Sequence, residues 1–132
     1  MSWYSVRLDK ADIAFSLYVR LRDKKCIHPD CHRVGEPDAK GNKVKGLQAS
    51  HFHSRRKEST RYDPENVDAL CAYHHNLLAG GNRNIDYVEI KKKQLGKKKL
   101  EALNIRAEMY CKKDRAMALL IAQQLLKELT SK

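Results

Sequence analysis

Long apolar runs are missing from this chain. None approaches the roughly 18 residues that a membrane-spanning helix needs, so no membrane association is expected. The opening stretch "MSWYSVRLDKADIAF" has no basic segment followed by an apolar one, so no secretory leader is expected there and the protein reads as cytoplasmic. Aromatic residues are few, at 7%, and are not interleaved with basic ones, which argues against a platform for stacking single-stranded bases. No internal repeat occurs, and lysine runs are the only low-complexity feature. Negative charge is in deficit. Sixteen acidic residues stand against 27 Lys and Arg, for a formal net charge of +11 and a pI near 9.6. That surplus points to an anionic partner, with nucleic acid ahead of an acidic membrane surface.

The 132 residues suit one domain, residues 1–132, and a hydrophobic content of 42% supports only a modest core. A structural metal would help such a chain fold. Cysteine is also sparse, at four, and in a cytoplasmic protein cysteines at close spacing are better read as metal ligands than as disulfides. Cys26 and Cys31 flank the turn "CIHPDC", while Cys71 and His74 stand in "CAYH" some forty residues later. Two pairs of soft ligands, each closing a tight loop, form the layout of a tetrahedral zinc site. Four protein ligands leave no open position, so this zinc would be structural. His28 or His32 could replace His74 as the fourth ligand. Cys111 has no partner nearby and reads as an unpaired core cysteine.

Local patterning places these residues on an α+β framework. The stretch "LDKADIAFSLYVRLRDKK" predicts a helix over 9–24, with Asp9 as its N-cap and Ile13, Leu17 and Leu21 along one face beside Ala14 and Tyr18. A turn-rich knuckle follows from Cys26, then short strands in "VKGLQASHF" and "VDALC" around the polar loop "SRRKESTRYDPEN". "AYHHNLLAGG" predicts a short helix closed by Gly80 or Gly81. The zinc-bearing core thus spans 26–81, and a basic helical extension spans 84–132, broken at Gly96. Asp114 is placed to cap the last helix, whose stripe is Ala118, Ile121, Ala122, Leu125 and Leu129. Leu119, Leu120 and Leu126 fall outside that stripe, which predicts burial or a homodimer through this helix.

Setting His74 aside leaves His51, His53 and His75 in one compact segment, with Asn66 between them. This H…N…H order beside a zinc pair resembles the HNH (ββα-metal) endonucleases. "KADIAFSLYVRLRDKKC", "ASHFHSRR…TRYDPENVDALC" and "NLLAGGNRNIDYVEIKKKQLG" are similar to their phage recombination-nuclease branch, typified by lambda NinG (Rap). The similarity covers roughly residues 10–96. The resemblance implies a ββα-metal core with a structural zinc knuckle, flanked by N-terminal and C-terminal helices. It also implies DNA phosphodiester hydrolysis in phage recombination or processing, within a bacterial host cell. By position, His51 matches the general base, Asn66 the residue that orients the loop between the strands, and His75 a ligand of the catalytic divalent ion, Mg²⁺ or Mn²⁺. The roles suit the chemistry: an imidazole deprotonates water near neutral pH, and a divalent ion stabilises charge on the phosphorane and the leaving oxygen. His53 stands as the alternative base and as a helper to His75.

Many members of that family carry an Asp or His just before the base, as a second ligand of the catalytic ion. Gln48, Ala49 and Ser50 occupy those places here. That departure supports a second reading, a catalytically degenerate, zinc-stabilised nucleic-acid-binding protein. In either case Arg55, Arg56, Lys57 and Arg61 crowd the loop after His51 and are expected to seat phosphates, binding DNA by backbone and shape. Lys91, Lys92, Lys93, Lys97, Lys98 and Lys99 form a second, less specific electrostatic surface.

Overall fold

The computed structural model describes residues 8–78 and 85–131. Among these, the chain forms six α-helices and two small antiparallel sheets. The expected helix closure at Gly80 or Gly81 lies outside the described residues.

Helix α1 (Lys10–Asp23) starts where the sequence places its cap. Asp9 Oδ1 accepts from the Asp12 amide at 3.0 Å, and Asp12 Oδ2 accepts from the Asp9 amide at 2.9 Å, a reciprocal capping box. Ala11, Phe15 and Val19 form its innermost face. Leu17, Leu21, Ala14 and Tyr18 lie partly buried alongside, whereas Ile13 is 63% exposed. The expected stripe is therefore rotated: its members flank the core contact, and its first residue faces solvent.

The chain then turns back as the knuckle. A bridge between Lys25 and Val34 closes its neck, and β1 (Glu36–Pro37) pairs with β2 (Val44–Lys45). Gly46, at φ 90°, redirects the chain into β3 (Gln48–His51), a left-handed backbone that favours glycine. The polar loop after β3 includes the short helix α2 (Glu58–Arg61). Strand β4 (Val67–Leu70) returns antiparallel to β3, with Ser50 opposite Asp68 and His51 opposite Val67. Helix α3 (Ala72–Leu77) follows at once.

The basic extension wraps this hairpin. Helix α4 (Ile85–Leu95) inserts Tyr87, whose hydroxyl donates to Asp68 at 2.9 Å. Lys91 does not join a lysine surface: it is fully buried, with Nζ 2.9 Å from the Asp68 carboxylate. Helix α5 (Lys97–Glu108) begins directly after Gly96, as expected. Cys111 follows it and is exposed rather than in the core, in a linker whose Met109 and Tyr110 are exposed as well. Helix α6 (Arg115–Thr130) is capped by Asp114, which accepts from the Met117 amide at 3.0 Å. It packs along α1, burying Ala118 and Ala122, while Met117, Leu120 and Ile121 stay exposed. No described helix is long and apolar enough to cross a membrane.

Two buried ion pairs lie within this small core. Arg61 is 2% exposed, and its Nε donates to Asp12 Oδ1 at 2.8 Å; Lys91 and Asp68 form the other. Removing one partner leaves an uncompensated charge in a low dielectric. Urea unfolding of Asp12→Ala should show a loss of about 3–5 kcal/mol. Lys98→Ala, at an exposed position, should stay within about 0.5 kcal/mol of the parent.

Candidate functional site

The knuckle and the start of α3 meet at one point. Cys26, Cys31, Cys71 and His74 place their ligand atoms within 4.8 Å of one another. Cys31 Sγ lies 3.9 Å from Cys71 Sγ, and His74 Nδ1 lies 3.2 Å from Cys71 Sγ and 3.8 Å from Cys26 Sγ. A tetrahedron built on Zn–S and Zn–N bonds of about 2.3 and 2.05 Å has edges of about 3.8 and 3.5 Å. The donor set and its spacing fit a structural zinc.

His74 is the histidine in the cluster. His28 stacks on its ring instead, with centroids 4.0 Å apart and planes 21° apart, and Tyr73 meets it edge-on. Both neighbours fix the imidazole that points Nδ1 at the thiols. Desolvation pushes the Cys26 thiol up to about 11. At Cys71 desolvation acts the same way, but hydrogen bonds from His74 and the other cysteines outweigh it, and the thiol lies at about 7. A bound dication would favour the thiolate at both.

His51 ends β3 half-buried, with Nε2 3.0 Å from the Arg61 carbonyl oxygen. A carbonyl only accepts, so Nε2 carries the hydrogen and Nδ1 keeps the lone pair. Burial lowers the imidazole to about 4, opposed by that hydrogen bond and assisted by the nearby Arg55 charge. Asn66 is fully buried between the strands. Its Oδ1 accepts from the His53 amide at 2.8 Å, and its Nδ2 donates to the carbonyls of His53 and Thr60 at 3.1 and 2.9 Å. The side chain therefore clamps both ends of the loop that carries Arg61.

Other expected residues are placed differently. His53 is 2% exposed, and its Nε2 lies 2.8 Å from Asn104 Oδ1 on α5, out of reach of a solvent-borne substrate. His75 sits half-buried on α3, where desolvation lowers its imidazole. Its ring makes no hydrogen bond among the described residues. The cysteine–histidine cluster is the one group of three or more metal-ligating side chains among the described residues, so His51, His53 and His75 do not assemble into another. Ser50 is turned toward Tyr87, on the sheet face opposite His51.

Arg61 departs most from expectation. Its guanidinium is committed to Asp12 inside the protein and is not presented to phosphate. Lys57 pairs with Glu108 at 2.7 Å, while Arg56 is exposed and Arg55 half-buried. The sequence reading missed Asp12, and with it Asp63 and Glu65, which α5 holds through Arg106 at 2.9 Å each. Lone acids forty or more residues from their partners leave no local signal.

Two outcomes follow. The protein should purify with one Zn²⁺ per chain, and Co²⁺ exchange should give the thiolate charge-transfer bands of a tetrahedral site. Cys71→Ser should lose both, and chelation should lower Tm. For His51 the folded value of about 4 lies below the ordinary 6.5, so the unfolded chain binds the proton first. The stability tied to neutral His51 is complete above about pH 6.5 and is lost as pH falls toward 4. Urea unfolding across that window should show a shallower pH dependence for His51→Gln than for the parent; equal slopes would contradict the assignment.

No protein-family model matches this chain, nor does any curated protein or solved structure.

Proposed function

We propose that this protein is a metal-dependent HNH-type endonuclease that hydrolyses DNA phosphodiester bonds, acting in phage or prophage recombination or processing. One observation carries the reading: the Arg61 carbonyl holds the His51 tautomer so that Nδ1 is the unprotonated nitrogen. A base held neutral and in one tautomer needs no proton rearrangement before it accepts a proton from water. Further support comes from Asn66, which clamps the loop delivering that carbonyl, and from the ββα order of β3, β4 and α3.

In this reading His51 Nδ1 takes the proton of the attacking water. His75 would hold the Mg²⁺ or Mn²⁺ ion, together with water and substrate phosphate. Such an ion, held by His75, would supply Lewis-acid stabilisation of the charge that builds up during hydrolysis. Arg55 and Arg56, on the loop beyond His51, would position the backbone. The zinc cluster has no open position and holds the knuckle against α3. A homodimer would form through the exposed Met117, Leu120 and Ile121 edge of α6.

The second reading, a nucleic-acid-binding protein that does not cut, is favoured by the absence, among the described residues, of a second cluster of metal-ligating side chains. Supercoiled plasmid separates the two. The nuclease reading expects nicking that needs Mg²⁺ or Mn²⁺ and falls by at least about 100-fold in His51→Ala, with zinc content unchanged. Its kcat/KM should lose activity on the acid side near pH 4 to 5 rather than 6.5, because the base must be neutral. Salt-sensitive DNA binding without cutting under any divalent ion would leave the second reading standing.

A further inference from the structure

A cleft of about 230 Å³ opens beside the metal cluster, between the knuckle and the start of α3. Arg33, Gly46, Leu47, Gln48 and Tyr73 line it together with Cys71 and Ala72, and none of these is acidic. Gln48 and His51 are the two ends of β3, about 10 Å apart along the strand at ~3.4 Å per residue and, three positions apart, on opposite faces of it.

Three side chains there have uncommitted chemistry. Arg33 is exposed, and its guanidinium makes no hydrogen bond or ion pair among the described residues. It lies across Gly46, where a Cβ would stand 3.2 Å from Nε. A glycine at that position lets the planar cation rest against backbone and stay open outward. Tyr73 is 70% exposed, yet its ring is held edge-on to His74 at 5.0 Å and 86°. The ring thus packs on one edge against a residue of the metal cluster. The exposed Gln48 amide adds one donor and one acceptor side.

An exposed aromatic ring, a guanidinium without a hydrogen bond or ion pair among the described residues and an amide around one cleft match a nucleotide: a base to stack, a phosphate for the bidentate cation, and a polar edge. We propose that this cleft binds a single unpaired nucleotide of the DNA, its base against Tyr73 and its phosphate on Arg33. The inference rests on the nucleic-acid part of the proposed function and not on cleavage. It gives the protein a preference for single-stranded DNA over a blunt duplex of the same sequence. Arg33 and Tyr73 are forty positions apart, so the pairing of cation and ring is a product of the fold.

The test is fluorescence anisotropy with zinc-loaded protein, without Mg²⁺ or Mn²⁺, on a labelled single-stranded oligonucleotide and on a blunt duplex of the same sequence. Tyr73→Ala should weaken single-strand binding by roughly 5- to 150-fold, the range that a lost base–aromatic stack gives. Duplex affinity should stay within about twofold, and Tyr73→Phe should bind like the parent, since the ring and not the hydroxyl is used. Arg33→Gln should make the dependence of log K on log salt shallower by about one phosphate, ~0.7 for a single strand. Zinc content of each variant shows that the neighbouring cluster is intact. Parent-like single-strand binding by both variants, or equal weakening on both DNAs, overturns the proposal, as does a parent that binds no single strand. Plasmid cutting by a parent whose variants bind normally would remove the cleft and leave the nuclease. Tyr73-dependent binding by a parent that never cuts would do the reverse.

Discussion

A strand buried on both faces must find partners for the polar groups on both of its edges, and β4 is such a strand. Its four residues are all fully buried or nearly so. One edge pairs with β3. The other is met by the end of α1 and the chain after it: Arg22 donates to the Val67 carbonyl at 2.7 Å, Asp23 accepts from the Ala69 amide at 2.9 Å, and Ile27 donates to the Ala69 carbonyl at 2.9 Å. Leaving such groups unpaired costs about 1–3 kcal/mol each. The requirement therefore docks α1 beside β4 and carries Cys26 to Cys71. These hydrogen bonds to the β4 backbone bring the metal cluster together, and zinc would lock an arrangement that the strand already demands.

The same hairpin organises the proposed base. Asn66 enters β4 with its side chain tied to His53 and Thr60, and α2 ends on Arg61, whose side chain is anchored by Asp12 of α1. Its carbonyl is thereby presented to His51. Arg115 adds a further brace, reaching Asp9 at the cap of α1 and Glu58 at the start of α2. A buried ion pair is a poor source of net stability but a strong constraint on geometry. Here that constraint falls on a carbonyl that selects one tautomer of one histidine. Positive charge of the chain is thus divided: Arg22, Arg61 and Lys91 serve internal geometry, while Arg56, Lys92, Lys93, Lys97, Lys98 and Lys99 remain on the surface.

Much of the fold was legible because its signals are local. Asp9 and Asp114 cap the helices they precede, and Gly96 separates two helices, since caps and breaks depend on a few neighbouring amides. The four metal ligands were legible from paired spacing, although the choice of His74 over His28 required the fold. Cys111, Ile13, Arg61 and Lys91 were misjudged for a single reason. Whether a side chain is inside depends on what packs over it, and that is set by residues far away in sequence. Cys111 is exposed, while α4 carries Lys91 over the β3–β4 face to Asp68.

By itself, then, the sequence determined the ends of the main helices, the short strands flanking a polar loop, the three clustered thiols, and a surplus of positive charge. Each follows from residue type and spacing within one turn, strand or loop. The tertiary structure alone decided which histidine completes the cluster, which nitrogen of His51 bears the hydrogen, which cations are spent inside, and that Arg33 meets Tyr73 across a cleft. These are relations between segments tens of residues apart. They exist only once burial forces β4 to satisfy both edges and the surrounding helices to close over it.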